Sequence, residues 1–322
     1  MSKLSIIVPV YFNELNLEPL YADIRTKIIE KADFDCEIIM VDDGSKDQSW
    51  QIIQKLAQED SRIKPIKLSR NFGSHAAILC GLSHSTGDCA VVKAADLQEP
   101  TELIIEMYQA WEAGNNVVLA IREAREDTSF FSELYYWLTR KVALPKMPPH
   151  GFDVFLVDRK VIRVLENLDE KDSAITGQIL WSGFKTAEIY YTRKQRQLGK
   201  SQWTLKKKIR LVTDTLFSFS TLPVTVISGV GFASCIGSAI WALVLLLTKL
   251  IVGIPVEGYT SLVILQLFSF GVIMMTQGIL GGYLWRTFDA SRHRPVYIIE
   301  EENESIQRNC MENENVMANE ER

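Results

Sequence analysis

Two uncharged runs limit the fold of this chain more than any other feature. No Asp, Glu, Lys or Arg occurs from Thr215 to Thr248, and none from Gly258 to Trp285. Each run exceeds the ~20 residues that cross a bilayer. A pair of buried core helices is the weaker reading, because soluble helices rarely stay uncharged for so long. Transmembrane helices are expected at about 224–247 and 261–284. Lys206, Lys207, Lys208 and Arg210 precede the first run, and Arg286, Arg292 and Arg294 follow the second. The loop between them carries only Lys249 and Glu257. The positive-inside rule then puts both ends of a multi-pass membrane chain in the cytoplasm.

Ahead of the first run, Leu205, Ile209, Val212, Leu216 and Phe219 recur at steps of four and three. That spacing marks one face of a helix, with the basic residues on its other faces and Trp203 at its start. A helix lying in the headgroup plane over 201–222 fits, and a core helix of the front part is the alternative.

The front part has what a core needs. Hydrophobic residues make up 47% of the 322-residue chain and charged residues 23%, which excludes a chain disordered throughout. The net charge of -5 comes from the tail, where 299–322 holds eight glutamates against Arg308 and Arg322. The remainder is close to neutral, so no nucleic-acid partner is expected. The tail reads as a solvated, mobile segment. Cys36, Cys80, Cys89, Cys235 and Cys310 are odd in number and scattered, as in a reducing compartment. No cysteine–histidine cluster suggests zinc. His75, His84 and His150 also lack ligand spacing. Leu4–Val10 is too short for a signal peptide and lacks a cleavage site, so it reads as a strand.

Strand and helix alternate from there. Strands are expected at Leu4–Val10, Glu37–Val41, Ile63–Leu68, Cys89–Val92 and Asn116–Ile121, with helical patterns between them. This predicts a mostly parallel sheet with helices on both faces. Ligands of such sheets bind beyond the carboxyl ends of the strands. Those ends read Pro9-Val10-Tyr11-Phe12-Asn13-Glu14, Val41-Asp42-Asp43-Gly44-Ser45, Lys93-Ala94-Ala95-Asp96-Leu97-Gln98 and Ile121-Arg122. Acids after three strands and an arginine after a fourth suit a nucleoside diphosphate with its cation. Asp42-Asp43-Gly44-Ser45 alone could be a turn and helix cap. There is no G-x-G-x-x-G and no P-loop.

With Ser69-Arg70-Asn71-Phe72-Gly73, Asp96-Leu97-Gln98-Glu99-Pro100, Arg196-Gln197-Leu198-Gly199-Lys200-Ser201 and Arg294-Pro295-Val296-Tyr297-Ile298-Ile299, the ordered set resembles family 2 glycosyltransferases of the polyprenyl-phosphate type. That type includes dolichol-phosphate mannose synthases and bactoprenol glucosyltransferases. The resemblance implies a GT-A fold and an inverting hexosyl transfer, with glucose the first choice of sugar. The donor would be a UDP-sugar and the acceptor polyprenyl phosphate. Pro9, Tyr11, Glu14, Val41 and Asp43 would hold the nucleoside. Asp96 and Gln98 would meet Mg²⁺ or Mn²⁺ and the diphosphate, with Ala94 and Ala95 beside them. Arg122, Arg196 and Lys200 would meet phosphate charge, and Asp96, Arg122 and Arg196 would be the catalytic set.

The implied layout is a cytoplasmic catalytic domain at 1–200, the interfacial helix at 201–222, a membrane hairpin at 223–286 and a cytoplasmic tail at 287–322. Implied partners are the bilayer, a second copy of the chain, a flippase and a downstream membrane glycosyltransferase. Two positions depart from the family pattern. Ala94 stands where an acid is usual, and Gln202 where a lysine is usual, with Lys200 and Lys194 near enough to supply that cation. Ala94 also favours a second reading, a membrane scaffold that binds lipid or a partner without turnover. A processive polysaccharide synthase would need a Q-x-x-R-W motif and more spans, and the chain has neither.

Overall fold

The computed structural model describes residues 2–123, 137, 139–141, 143–149, 151–168, 174–192, 222–252 and 258–302. The chain forms two compact units, Met1–Val212 with Pro295–Arg322, and Thr213–Arg294.

The first unit is built on β1 (Lys3–Val10), α1 (Glu14–Ile24), β2 (Asp35–Asp42), α2 (Ser49–Glu59), β3 (Ile63–Leu68), α3 (Ser74–Ser83), β4 (Cys89–Val92), α4 (Leu103–Glu112) and β5 (Val117–Arg122). It continues through β6 (Phe152–Asp158), α5 (Arg159–Glu166), α6 (Ile175–Trp181) and β7 (Thr186–Tyr191). All these strands, and β8 (Ile299–Glu302), join one sheet in the order β7-β5-β6-β4-β1-β2-β3-β8. β1 lies between β2 and β4 with helices over the sheet, so its residues and those of β2 are buried in an almost unbroken apolar run. Ile6, Val8, Ile38, Met40 and Val91 pack with Leu17, Leu20 and Ile53 from α1 and α2 in the core. Each fully buried side chain of this kind stabilises by about 1.5–3 kcal/mol.

The five expected strands are all present, but the sheet is mixed. β1, β2, β3 and β4 pair in parallel, as do β5 and β7. β6 runs antiparallel to both β4 and β5, and β8 antiparallel to β3. β8 corrects the expectation of a tail solvated from its start. Lys67 of β3 pairs with Glu300 at 2.9 Å and Glu301 at 3.3 Å, and the Trp50 indole donates to Glu301 at 3.1 Å. Acidic residues thus seal a strand edge because lysine and indole donors face them.

Register sets up the site. β1 and β2 end level, Val10 opposite Asp42. β4 stops at Val92 opposite Ile7, short of the end of β1. The chain order reverses here, with β2 and β3 to one side of β1 and β4 to the other, which makes the crevice above β1 and β4 the switch point of the sheet.

The second unit holds α7 (Leu222–Val252) and α8 (Tyr259–Ser291), of 31 and 33 residues. Over the described residues alone, no helix is long and apolar enough to cross a membrane. The full sequence of the two helices carries no charge from Leu222 to Thr248 or from Tyr259 to Trp285. Phe232, Ile251 and Leu284 are exposed on them. The interfacial helix expected over 201–222 lies outside the described residues, apart from its last position.

Candidate active site

The loops after β1, β2 and β4 leave the same edge of the sheet at the switch point. The first two are tied together by main-chain donors. Phe12 N–H donates to Ser45 Oγ at 3.1 Å, Asn13 N–H to Ser49 Oγ at 3.1 Å, and Gln48 N–H to Glu14 Oε2 at 2.9 Å. Asn13 Oδ1 accepts the Tyr11 N–H at 3.0 Å. These bonds hold Phe12 at φ +54, a left-handed conformation that costs a bulky residue about 1–2 kcal/mol. Strain of this kind gathers at functional sites. The Tyr11 and Phe12 rings meet edge to face, 4.6 Å between centroids, with Phe12 exposed.

Asp43 anchors a third segment. Its carboxylate accepts the Phe72 N–H at 2.7 Å and the Gly73 N–H at 2.9 Å, so Asn71-Phe72-Gly73 is clamped over the end of β2. Gly44 makes the clamp possible. It sits at φ +66, and a Cβ there would lie 2.5 Å from the Arg70 carbonyl carbon. Burial pushes the Asp43 carboxyl up to about 6, against the pull of the two N–H donors. Asp42 is fully buried beside it. One of its oxygens takes the Ser45 N–H at 3.2 Å, and the other is buried with no hydrogen-bond partner among the described residues. Pro9 is half-buried opposite Val41. Val41 is fully buried between β1 and β3, with its side chain toward α3.

The loop after β4 is different. Ala95 is buried, while Ala94, Asp96 and Gln98 are half-buried on the rim. Leu97 turns the chain at φ +58, and Asp96 Oδ1 accepts the Gln98 N–H at 3.3 Å. No group of three or more His, Cys, Asp or Glu gathers among the described residues. Asp96 and Gln98 offer one carboxylate and one amide oxygen. That donor set fits a divalent ion that completes its shell with substrate oxygens and water rather than a protein-only cage. Arg122, at the end of β5, is ion-paired with Asp153 of β6. Arg196 and Lys200 lie outside the described residues. Sequence reasoning gave no role to Asp153, and it named Lys93 only as the first residue of a strand end. Lys93 is fully buried at the root of the β4 loop.

An acid-lined rim at the switch point of an open α/β sheet lies where such sheets bind ligands. Residues 5–222 match the model of Glycosyl transferase family 2, so the chain belongs to that family and is a glycosyltransferase. It is 34% identical over 300 residues to the uncharacterized glycosyltransferase YkcC of Bacillus subtilis, a match covering 92% of this chain and 93% of that one. It is 34% identical over 304 residues to the bactoprenol glucosyl transferase of Shigella phage SfV, covering 93% and 99%. Among solved structures, mannosyl-3-phosphoglycerate synthase from Rubrobacter xylanophilus aligns with a TM-score of 0.49 at 16% identity, over 67% of this chain and 72% of that one.

Proposed function

We propose that the protein transfers a sugar, glucose as the first choice, from a UDP-sugar to polyprenyl phosphate at the cytoplasmic face of the inner membrane. The observation that supports this is the parallel run of β1, β2 and β4 on either side of the switch point, whose following loops carry Tyr11, Asp43, Asp96 and Gln98 at one edge of the sheet. The similarity to a bactoprenol glucosyl transferase, running over 93% of this chain, supports the lipid acceptor and the glucose.

In this reading the Tyr11 and Phe12 rings and the Asp43 carboxylate take the nucleoside, with Pro9, Glu14 and Val41 shaping its seat. Asp96 and Gln98 would hold a divalent ion, whose charge would offset that of the leaving diphosphate. Arg122, released from Asp153, and Arg196 and Lys200 place cations on phosphate oxygens. The acceptor phosphate is already anionic near neutral pH, so the reaction needs no general base. One in-line displacement then inverts the anomeric carbon, with orientation and charge supplying the rate.

The membrane placement belongs to the same proposal. At about 1.5 Å per residue, helices of 31 and 33 residues are long enough for a hydrocarbon core of about 30 Å. The basic flanks of both orient the front unit to the cytoplasm. The test is a donor screen on membranes holding the full chain, with radiolabelled sugar nucleotides and a short polyprenyl phosphate. Lipid-linked product from UDP-glucose, lost in Asp96→Asn, is the expected result. Lipid binding with no product from any donor would favour the scaffold that Ala94 suggests.

A further inference from the structure

Lys93 has no part in the reading above, yet it is among the most unusual residues of the fold. It follows β4 directly, is 1% exposed, and its main-chain N–H extends the strand by donating to the Ile7 carbonyl at 2.9 Å. Its ammonium donates to the Glu99 carbonyl at 2.9 Å. Burial pushes the ammonium down from its ordinary value, opposed by the carboxylates of Glu99, Asp23 and Asp96 in that order. A buried ammonium is a costly way to stabilise a fold. The position has a geometric consequence instead. The bond from Lys93 to Glu99 joins the two ends of the 94–98 loop, the segment that carries Asp96 and Gln98. The chain just beyond is tied down too. The Thr101 hydroxyl donates to Asp23, and Lys27 bridges Asp23 at 2.7 Å and Glu102 at 3.0 Å. α1 and Lys93 therefore fix the loop from beneath, while its rim residues stay half-buried.

We propose that Lys93 is a positioning residue for the diphosphate end of the donor site, holding Asp96 and Gln98 so that their oxygens meet one cation. The inference rests on the reading that these two residues face the cation and diphosphate. Ala94 gives Lys93 its weight. With no acid at 94, Asp96 is the only carboxylate on the loop's rim, and its placement decides whether a shared ion is held.

The test is calorimetric titration of the purified full-length chain with UDP, with and without Mn²⁺, beside thermal unfolding. Lys93→Met should weaken UDP about tenfold in Mn²⁺, the scale of one hydrogen bond from a charged group. It should leave the Mn²⁺-free affinity unchanged, while the unfolding temperature falls, because the buried Glu99 carbonyl and the nearby carboxylates lose their cation. Lys93→Arg keeps the charge and a donor, so it should lose less, again only in Mn²⁺. If the Met variant fails to fold, the Arg variant carries the same comparison alone. Wild-type affinity in Mn²⁺, or the same loss with and without it, overturns the inference. Asp96→Asn separates the two claims. If it keeps the Mn²⁺-dependent gain, the reading of the site fails. If it loses that gain while the Lys93 variants keep it, only the role of Lys93 fails.

Discussion

β2 carries a buried carboxylate near each end, and the two are treated in opposite ways. Glu37 lies toward the amino end and is over-supplied with partners. It pairs with Lys3 at 2.8 Å and Lys64 at 2.9 Å, and accepts the Ser5 hydroxyl at 2.6 Å and the Thr86 N–H at 2.6 Å. Burial alone would raise its carboxyl, and these partners hold it down to about 2 instead. Asp43, just past the carboxyl end, takes two main-chain N–H bonds and no ion pair at comparable range among the described residues, and burial lifts it to about 6. The same strand thus uses one acid as a structural knot and keeps the other under-compensated, as sites that bind ligands do.

The largest effect should come from Glu37→Gln. The amide keeps the volume and leaves Lys3 and Lys64 facing a neutral group. Breaking one side of a buried ion pair costs about 3–5 kcal/mol, and urea unfolding of the catalytic unit should show it. The pH dependence has a definite sign. A carboxyl depressed from 4.5 to about 2 contributes about 3 kcal/mol of stability. That stability is present above the unfolded value and lost as pH falls toward 2. A Glu37→Gln protein as stable as the wild type at neutral pH would remove the knot.

Gly44→Ala comes next. Alanine at φ +66 is strained, and its Cβ would press on the Arg70 backbone. Overpacking and left-handed strain together cost about 1–3 kcal/mol. Unlike the Glu37 variant, this one should also loosen the 69–73 clamp and weaken UDP-glucose binding. Unchanged binding in a destabilised protein would show that the clamp has no part in the site. Asp43→Asn should reverse the pattern. Stability should move by no more than about 1 kcal/mol, since the raised carboxyl is already disfavoured as an ion and one N–H keeps an acceptor. UDP-glucose binding should fall about tenfold or more. A stability loss as large as that of Glu37→Gln would make the two ends of β2 alike.

The contrast explains what could be read in advance. The strands that end at the rim announce themselves through apolar runs followed by acids, so β1 to β5 and the rim residues on them are legible from local sequence. β8 is not, because Ile299–Glu302 becomes a strand only by meeting Ile66–Leu68 from far away in the chain. β6 and β7 lie beyond the alternating pattern and were not legible through it. Glu37 reads as the polar opening of a strand, since nothing near it in sequence announces Lys3, Lys64 and Thr86. Lys93 likewise resembles an exposed strand end, and its burial is set by packing under α1 and the 94–99 loop. Partners distant in sequence decide each of these cases.

The smallest effect, and the one that separates the two acids most cleanly, is on binding against pH. Asp43 faces Asp42, which raises its carboxyl further, and Arg70, which lowers it, along with the Phe72 and Gly73 N–H groups. A carboxyl at about 6 is ionised at neutral pH and mostly protonated one unit below its midpoint. If the ionised form accepts the donor's base or ribose, binding should weaken as pH falls through 6, about tenfold between roughly pH 7 and pH 5. UDP-glucose is the proper probe, because both its phosphates are diesters and do not titrate in that range. Across the same interval Glu37 stays ionised, so the fold should not soften on its account. Calorimetric titration over this range in wild type and Asp43→Asn checks both halves. The slope should be present in the first and absent in the second, since an amide has no proton to lose. A slope surviving in Asp43→Asn would assign the titration to another group, and a flat wild-type profile would deny Asp43 contact with the donor.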